Sequence, residues 1–169
     1  MPQPSTPQLP AEAHPVEWRR DGFTVSTDPT RLDLEVITRE LAGAYWAAGR
    51  RRECIERSLR WSLDFGLYEG ARQVGFGRAI TDRATFAYLA DVFIVSEYRG
   101  RGLGTWLMAC MAAHPELQGL RRWLLATRDA HGLYEKTGFG SLNHPERWME
   151  RLTEPGATAA AQPMPREEP

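Results

Sequence analysis

The sequence predicts an α+β protein with one mixed sheet and helices on both of its faces. Three observations carry that expectation. Two helical stripes come first, Leu34/Ile37/Leu41/Tyr45 and Ile55/Leu59/Leu63, with apolar residues at spacings of three and four. A run of strand-like segments follows, broken by Gly70-Ala71-Arg72 and Thr81-Asp82-Arg83. Then an apolar strand runs into a glycine-rich turn and a helix, and strand and helix signals alternate to the end.

Taken in order, a short strand is expected at 23–27, then a turn at Asp28-Pro29-Thr30 and a helix over 33–45. Gly49 breaks the chain before a second helix over 51–63. Strands are expected at 65–69, 73–80 and 85–95. In the last of these Leu89, Val92, Phe93, Ile94 and Val95 fall on both faces, as in a central strand covered on each side. A helix over 104–114 stops at Pro115; a strand at 122–127 and a helix over 130–136 capped by Gly138 follow. Asp129 is a candidate N-cap for that helix. Strands from Phe139 onward and at 147–152 complete the prediction.

The chain has 169 residues, enough for one domain with a full core, and the folded domain is placed at 16–153. Residues 1–15, rich in Pro and Gln, and 154–169, a mixture of Ala, Pro and Glu, read as disordered arms. A net charge of −1 argues against bulk attraction to nucleic acid or an anionic membrane. Cys54 and Cys110 are the only cysteines and form no C-x-x-C pair, which disfavours a disulfide framework or a zinc site and fits the cytoplasm. Cys110 lies in an apolar helical run and reads as a small buried hydrophobe.

The most informative segment is Arg99-Gly100-Arg101-Gly102-Leu103-Gly104-Thr105 after the central strand. Alternate glycines do not meet the dinucleotide fingerprint G-x-G-x-x-G, and no G-K-S/T follows. A tight turn opening an apolar helix still offers free amides and the positive end of a helix dipole, which suits phosphate.

This segment closely resembles motif A of the GNAT superfamily of N-acetyltransferases, with its pattern Q/R-x-x-G-x-G/A. Further along, Asp129-Ala-His-Gly-Leu-Tyr-Glu-Lys-Thr-Gly-Phe139 resembles the same superfamily's Y-E-K-x-G-F block, in the same order. The resemblance implies a mostly antiparallel sheet with splayed strands and acetyl-CoA as co-substrate, with no metal. It implies that the main chain of Val92, Phe93 and Ile94 pairs with the pantetheine arm. Arg99, Gly100, Arg101, Gly102, Leu103, Gly104 and Thr105 would wrap the pyrophosphate. Tyr134 matches the tyrosine that protonates the departing thiolate; its other reading is a core tyrosine over Phe139. Many members carry an asparagine where this chain has Thr127, whose hydroxyl would meet pantetheine or backbone instead. The stretch also resembles polyamine acetyltransferases, but their glutamate falls at Ala90 here, so that base does not carry over.

Asp91 is a carboxylate inside an apolar strand, costly to bury alone. It is a base, an amine-orienting group, or half of an ion pair. His131 reads as a surface or packing residue. Tyr45 and Trp46 are candidates for the acceptor side, where aromatic faces suit an amine. The arginines at 50–52, 57 and 60 either bind an acidic acceptor or the coenzyme 3′-phosphate, or form the solvated side of a helix.

The leading expectation is an acetyl-CoA-dependent N-acetyltransferase that moves an acetyl group directly to a primary amine, in particular that of a small molecule. The alternatives are acetylation of a protein N-terminus or lysine, and a non-catalytic acyl-CoA-binding module. The sequence leaves open a monomer or a homodimer.

Overall fold

A computed structural model of the protein describes residues 14–152. The arm expected at 1–15 lies outside the described residues except for His14 and Pro15, and the tail at 154–169 lies outside them altogether. The described residues fall into two units, one ending at Phe139 and one starting at Gly140.

In the first unit, strands β1 (Glu17–Arg20), β2 (Phe23–Ser26), β3 (Leu63–Glu69), β4 (Arg72–Thr81), β5 (Phe86–Ile94) and β6 (Arg122–Leu124) form a six-stranded sheet in sequential order. Neighbours are antiparallel from β1 to β5, and β5 and β6 are parallel. The fold class expected from sequence is the one observed. β1 was not anticipated, although Asp21 and Gly22, with φ of 49° and 81°, make the two-residue turn that joins it to β2.

Helix α1 (Leu34–Ala42) starts at Asp33, whose carboxylate accepts the N–H groups of Glu35 and Val36. It buries Ile37 and Leu41, and ends well before the expected Tyr45, which sits in a short 3-10 turn, Tyr45–Ala47. Helix α2 (Arg52–Leu59) is also shorter than expected. Ser58 Oγ donates to the Ile55 carbonyl and Ser62 Oγ to the Ser58 carbonyl, so hydroxyls take carbonyls that another helical turn would have used. The chain is thereby released into β3 at Leu63, and Asp64 enters the sheet.

Helix α3 (Leu103–Ala112) is apolar nearly all round and buries Leu103, Leu107, Met108, Cys110 and Met111. It lies against the face of the sheet that carries Gly77, where an added Cβ would stand 3.0 Å from the Met111 sulfur. Burial raises the Cys110 thiol to about 11, in keeping with a packing role. Helix α4 (His131–Glu135) precedes Gly138, whose φ is 92°.

The strands expected from Phe139 and at 147–152 are not formed. In the second unit the described residues hold a short 3-10 turn, Pro145–Arg147, and no strand. Pro145 has no N–H for a ladder, and Met149 and Leu152 stand 99% and 81% exposed, with no sheet face to bury them.

Candidate active site

β6 is too short to follow β5. The two strands pair from Phe86↔Arg122 to Tyr88↔Leu124 and then part, so among the described residues positions 89–94 of β5 have no strand partner on that side. On the other side the β4–β5 register jumps from Arg78↔Ala90 to Phe76↔Phe93, and Asp91 and Val92 together oppose Gly77. This bulge puts Asp91 at φ 56°, a left-handed conformation that Asp tolerates better than most residues. The result is a strand with one edge in the sheet and one edge of amides and carbonyls open to an extended ligand.

Beyond Ile94 the chain makes a 3-10 turn, Ser96–Tyr98, and reaches Gly100 and Gly102, both at φ 73°. Gly102 is the N-cap of α3 and has no side chain to take the first amides; the first helical bond runs from the Trp106 N–H to the Gly102 carbonyl. The amides of Leu103, Gly104 and Thr105 therefore remain available, at the positive end of the helix and with no acidic side chain in its first turn. A pocket of about 230 Å³ lies here, lined by Ile94, Gly100, Gly102, Gly104, Thr105 and Leu133 among others. Gly104 and Leu133 close the distance between α3 and α4: a Cβ on the glycine would stand 3.6 Å from Leu133.

The arginines of this turn face different ways. Arg99 Nε donates to the Ile94 carbonyl at 2.9 Å and braces the end of β5. Arg101 lies over the rings of Phe23 and Tyr98, 5.0 and 5.4 Å from their centroids, so its main chain rather than its guanidinium belongs to the cradle. The Tyr98 hydroxyl donates to Glu69 at 2.6 Å, which holds its pKa up. Val92 packs toward Gly77 on the α3 face, and Phe93 is buried against Phe76 with ring centroids 5.9 Å apart.

Across the gap, α4 carries Tyr134. Burial raises its pKa, and the phenols of Tyr45 and Tyr88 are close enough to raise it further. Its ring also meets Phe139 edge-on at 6.0 Å, the contact expected of a packing role. Tyr88, the last β5 residue paired with β6, was not singled out by sequence. Thr127 Oγ1 accepts the Ala130 N–H at 3.0 Å. That corrects the expected helix cap: Ala130 is the N-cap, while Asp129 pairs with Arg128 at 3.6 Å. His131 is exposed. Tyr45 Oη accepts the Arg128 N–H at 2.8 Å, and the Arg128 guanidinium lies 3.7 Å from the Tyr45 ring centroid. Trp46 meets Tyr45 edge-on at 5.0 Å and is 43% exposed.

Four charged groups cross the sheet beside this point. Asp91 Oδ2 accepts from Arg78 Nε at 2.6 Å and from Arg50 Nη1 at 2.7 Å. Of the roles open to Asp91 from sequence, the ion pair is the one its contacts form. Arg78 lies opposite Asp64 in the β3–β4 register. Asp64 is 8% exposed, accepts a hydrogen bond from Ser62 at 2.8 Å, and is pushed by burial up to about 7. Sequence reading missed Arg78 and Asp64. Both gave the signal that marked Asp91, a charge among apolar strand residues, but Asp64 fell in the gap between the expected helix over 51–63 and the expected strand at 65–69.

An open strand edge, a cradle of free amides and a half-buried phenol across the gap suit an extended amide ligand ending in a phosphate group at one end and a reacting centre at the other. Among the described residues no group of three or more His, Cys, Asp or Glu side chains could hold a metal.

Known proteins resemble this chain in sequence and fold. Residues 63–140 match the family described as "Acetyltransferase (GNAT) domain". A candidate acetyltransferase of Gibberella zeae, FG08082, is 35% identical over 145 residues, spanning 72% of this chain and 81% of that protein. The crystal structure of a candidate GNAT acetyltransferase from Xanthomonas campestris pv. campestris is 48% identical, covers 78% of this chain and 93% of its own, and superposes with a TM-score of 0.75. A sequence-predicted acetyltransferase from Clostridium acetobutylicum, solved with acetyl-CoA, is 14% identical with a TM-score of 0.54, over 70% of this chain and 86% of its own; it shares the fold.

Proposed function

Because this chain belongs to the GNAT family of acetyltransferases, we propose that it transfers the acetyl group of acetyl-CoA directly to the primary amine of a small molecule. The observation that carries this reading is the open edge of β5 at 89–94 leading straight into the amide cradle at Gly100–Thr105, with Tyr134 across the gap.

Acetyl-CoA supplies a thioester activated toward amines. The main chain of Val92, Phe93 and Ile94 holds the pantetheine arm as an added strand. The amides from Gly100 to Thr105 take the pyrophosphate, and Thr127, whose hydroxyl keeps its own proton to donate, braces the strand-to-helix turn opposite. A main-chain N–H from 92–94 receives the charge that develops on the carbonyl oxygen as the new C–N bond forms. Tyr134 donates its proton to the sulfur as the C–S bond breaks, the attacking neutral amine loses one proton to solvent, and Tyr134 regains one from solvent, so N-acetylated product and free thiol leave in balance. Its raised pKa keeps the phenol protonated at neutral pH. Asp91 acts at this point through the arginines it holds.

Tyr134→Phe tests the assignment. Turnover, followed as free thiol release, should fall roughly 100-fold, the scale of a lost general acid, while calorimetry finds the affinity for CoA nearly unchanged. Full activity in this variant would remove Tyr134 from the chemistry, and failure of the wild-type protein to bind CoA or its acyl forms would remove the proposal as a whole.

A further inference from the structure

The arginines that follow the Tyr45–Ala47 turn do not behave alike. Arg52 pairs with Glu35 and Glu56 on the helix surface. Arg57 reaches the Cys54 sulfur at 3.9 Å. Arg50 instead sends Nη1 inward, 2.7 Å from Asp91 Oδ2. The carboxylate is 2% exposed and the Arg50 side chain 28% exposed. One arm of the guanidinium fork is thus fixed inside the protein. Among the described residues no other hydrogen bond or ion pair of the group is found, and over a quarter of the side chain is exposed.

Charge and place both give this arm a meaning. Arg50 and Arg78 share one carboxylate, so the pair of cations is only half neutralised. Asp64, the remaining acid in the row, is held toward its neutral form by burial. Arg128, over the Tyr45 ring, adds a cation that Asp129 meets at 3.6 Å, both of them exposed. Asp91 itself sits on the bulge directly before Val92 and Phe93. A group bonded to Asp91 therefore stands beside the main chain that faces the reacting carbonyl.

We propose that the acceptor is an amine that also carries a carboxylate, and that Arg50, locked by Asp91, grips that carboxylate. A planar fork with one arm preorganised suits two parallel N–H···O bonds to a carboxylate. Tyr45 and Trp46, both about two-fifths exposed, take the apolar part of the same molecule. An amino acid, which carries both groups on one carbon, is the simplest acceptor of this kind. This inference rests on the reading of the chain as an amine acetyltransferase.

The test is thiol release with matched pairs that differ only in the carboxylate: phenylalanine and phenethylamine, tyrosine and tyramine, leucine and isoamylamine. The carboxylated member should have kcat/KM higher by roughly 10- to 100-fold, the worth of a hydrogen-bonded charge. Arg50→Gln should erase that preference by raising KM for the carboxylated member alone, with CoA affinity unchanged, and Arg50→Lys should restore part of it. Equal or better turnover of the uncharged members by the wild-type enzyme overturns the inference and leaves the acetyltransferase reading standing; so does an Arg50→Gln variant that slows both members alike. If Arg50→Gln does not fold, the wild-type preference and Arg50→Lys decide. Absence of thiol release with every amine, in protein that binds CoA, sinks the acetyltransferase reading and this inference with it.

Discussion

Replacing Asp91 with Asn keeps the shape of the side chain and, because Asn also accepts left-handed backbone, keeps the bulge at φ 56° without added strain. What it removes is the charge between Arg78 and Arg50. The Arg78 side chain is 9% exposed, so its guanidinium is left in the sheet without its carboxylate, and breaking a buried pair costs about 3–5 kcal/mol. The Arg50 contact, nearly one-third exposed, adds no more than about 1 kcal/mol. Against a typical total stability of about 5–15 kcal/mol, Asp91→Asn should lose roughly a fifth of it or more. Urea denaturation followed by tryptophan fluorescence would measure the loss. Asp64, opposite Arg78, partly compensates by ionising, which pulls the expected value toward 3 kcal/mol. Arg78→Met added to Asp91→Asn removes the stranded cation and should recover most of the loss. A single variant that costs less than about 1 kcal/mol, or a double variant no more stable than the single, would refute the reasoning.

Two further outcomes follow from the same sheet. Burial raises Asp64 from 3.8 to about 7, so the folded protein keeps a proton that the unfolded chain releases between those values. The stability this contributes is complete below pH 3.8 and is lost as pH rises through about 7, up to about 4 kcal/mol in all; urea midpoints for wild type and Asp64→Asn should converge in acid and separate in favour of the variant toward pH 8, and parallel curves would contradict this. Gly66→Ala should destabilise by about 3 kcal/mol or more, because the new Cβ would land on the hydroxyl of Tyr68, a side chain 1% exposed whose ring lies under Arg31. Tyr68→Phe, which deletes a buried hydroxyl with no partner, should be close to neutral in thermal melts and should relieve part of the Gly66→Ala loss.

What could be read from the sequence was what local chemistry determines. The strand, glycine turn and helix from Phe86 to Ala112 announce themselves within one stretch, as does the α1 cap at Asp33. β1 escaped because Glu-Trp-Arg-Arg shows no clean alternation; the strand is mostly solvated, and only its pairing with β2 defines it. The Asp21-Gly22 turn was a legible sign of that hairpin. β6 was drawn too long because Leu125, Ala126 and Thr127 are strand-like by composition. Their departure from β5 is visible only in the strand pairing, which composition does not report. The ion-pair row was illegible for a similar reason: Arg50 and Arg78 lie 41 and 13 positions from Asp91, and only strand register and tertiary packing bring them together.

β5 must satisfy two demands that conflict. Its inner edge has to stay in register with β4, while its outer edge must hold backbone groups rigidly enough to receive a ligand without a neighbouring strand to stiffen them. The bulge at Asp91 would by itself loosen the inner edge. Close packing on both sides answers this. Gly75 and Gly77 leave no room for a side chain: a Cβ would stand 2.8 Å from Ile94 Cδ1 at the first and 3.0 Å from the Met111 sulfur at the second. β4 is thus pressed against β5 and α3, so that bulge, strand end and amide cradle move as one body. On the opposite face Arg78 and Arg50 clamp the bulge through Asp91. The cost of that clamp is a buried ion pair, and one of its members, Arg50, reaches the surface where an acceptor would enter. If Arg50 reads the acceptor as proposed, the contact that clamps the bulge also positions it, and a loss of Asp91 should blur acceptor preference before it weakens the grip on CoA.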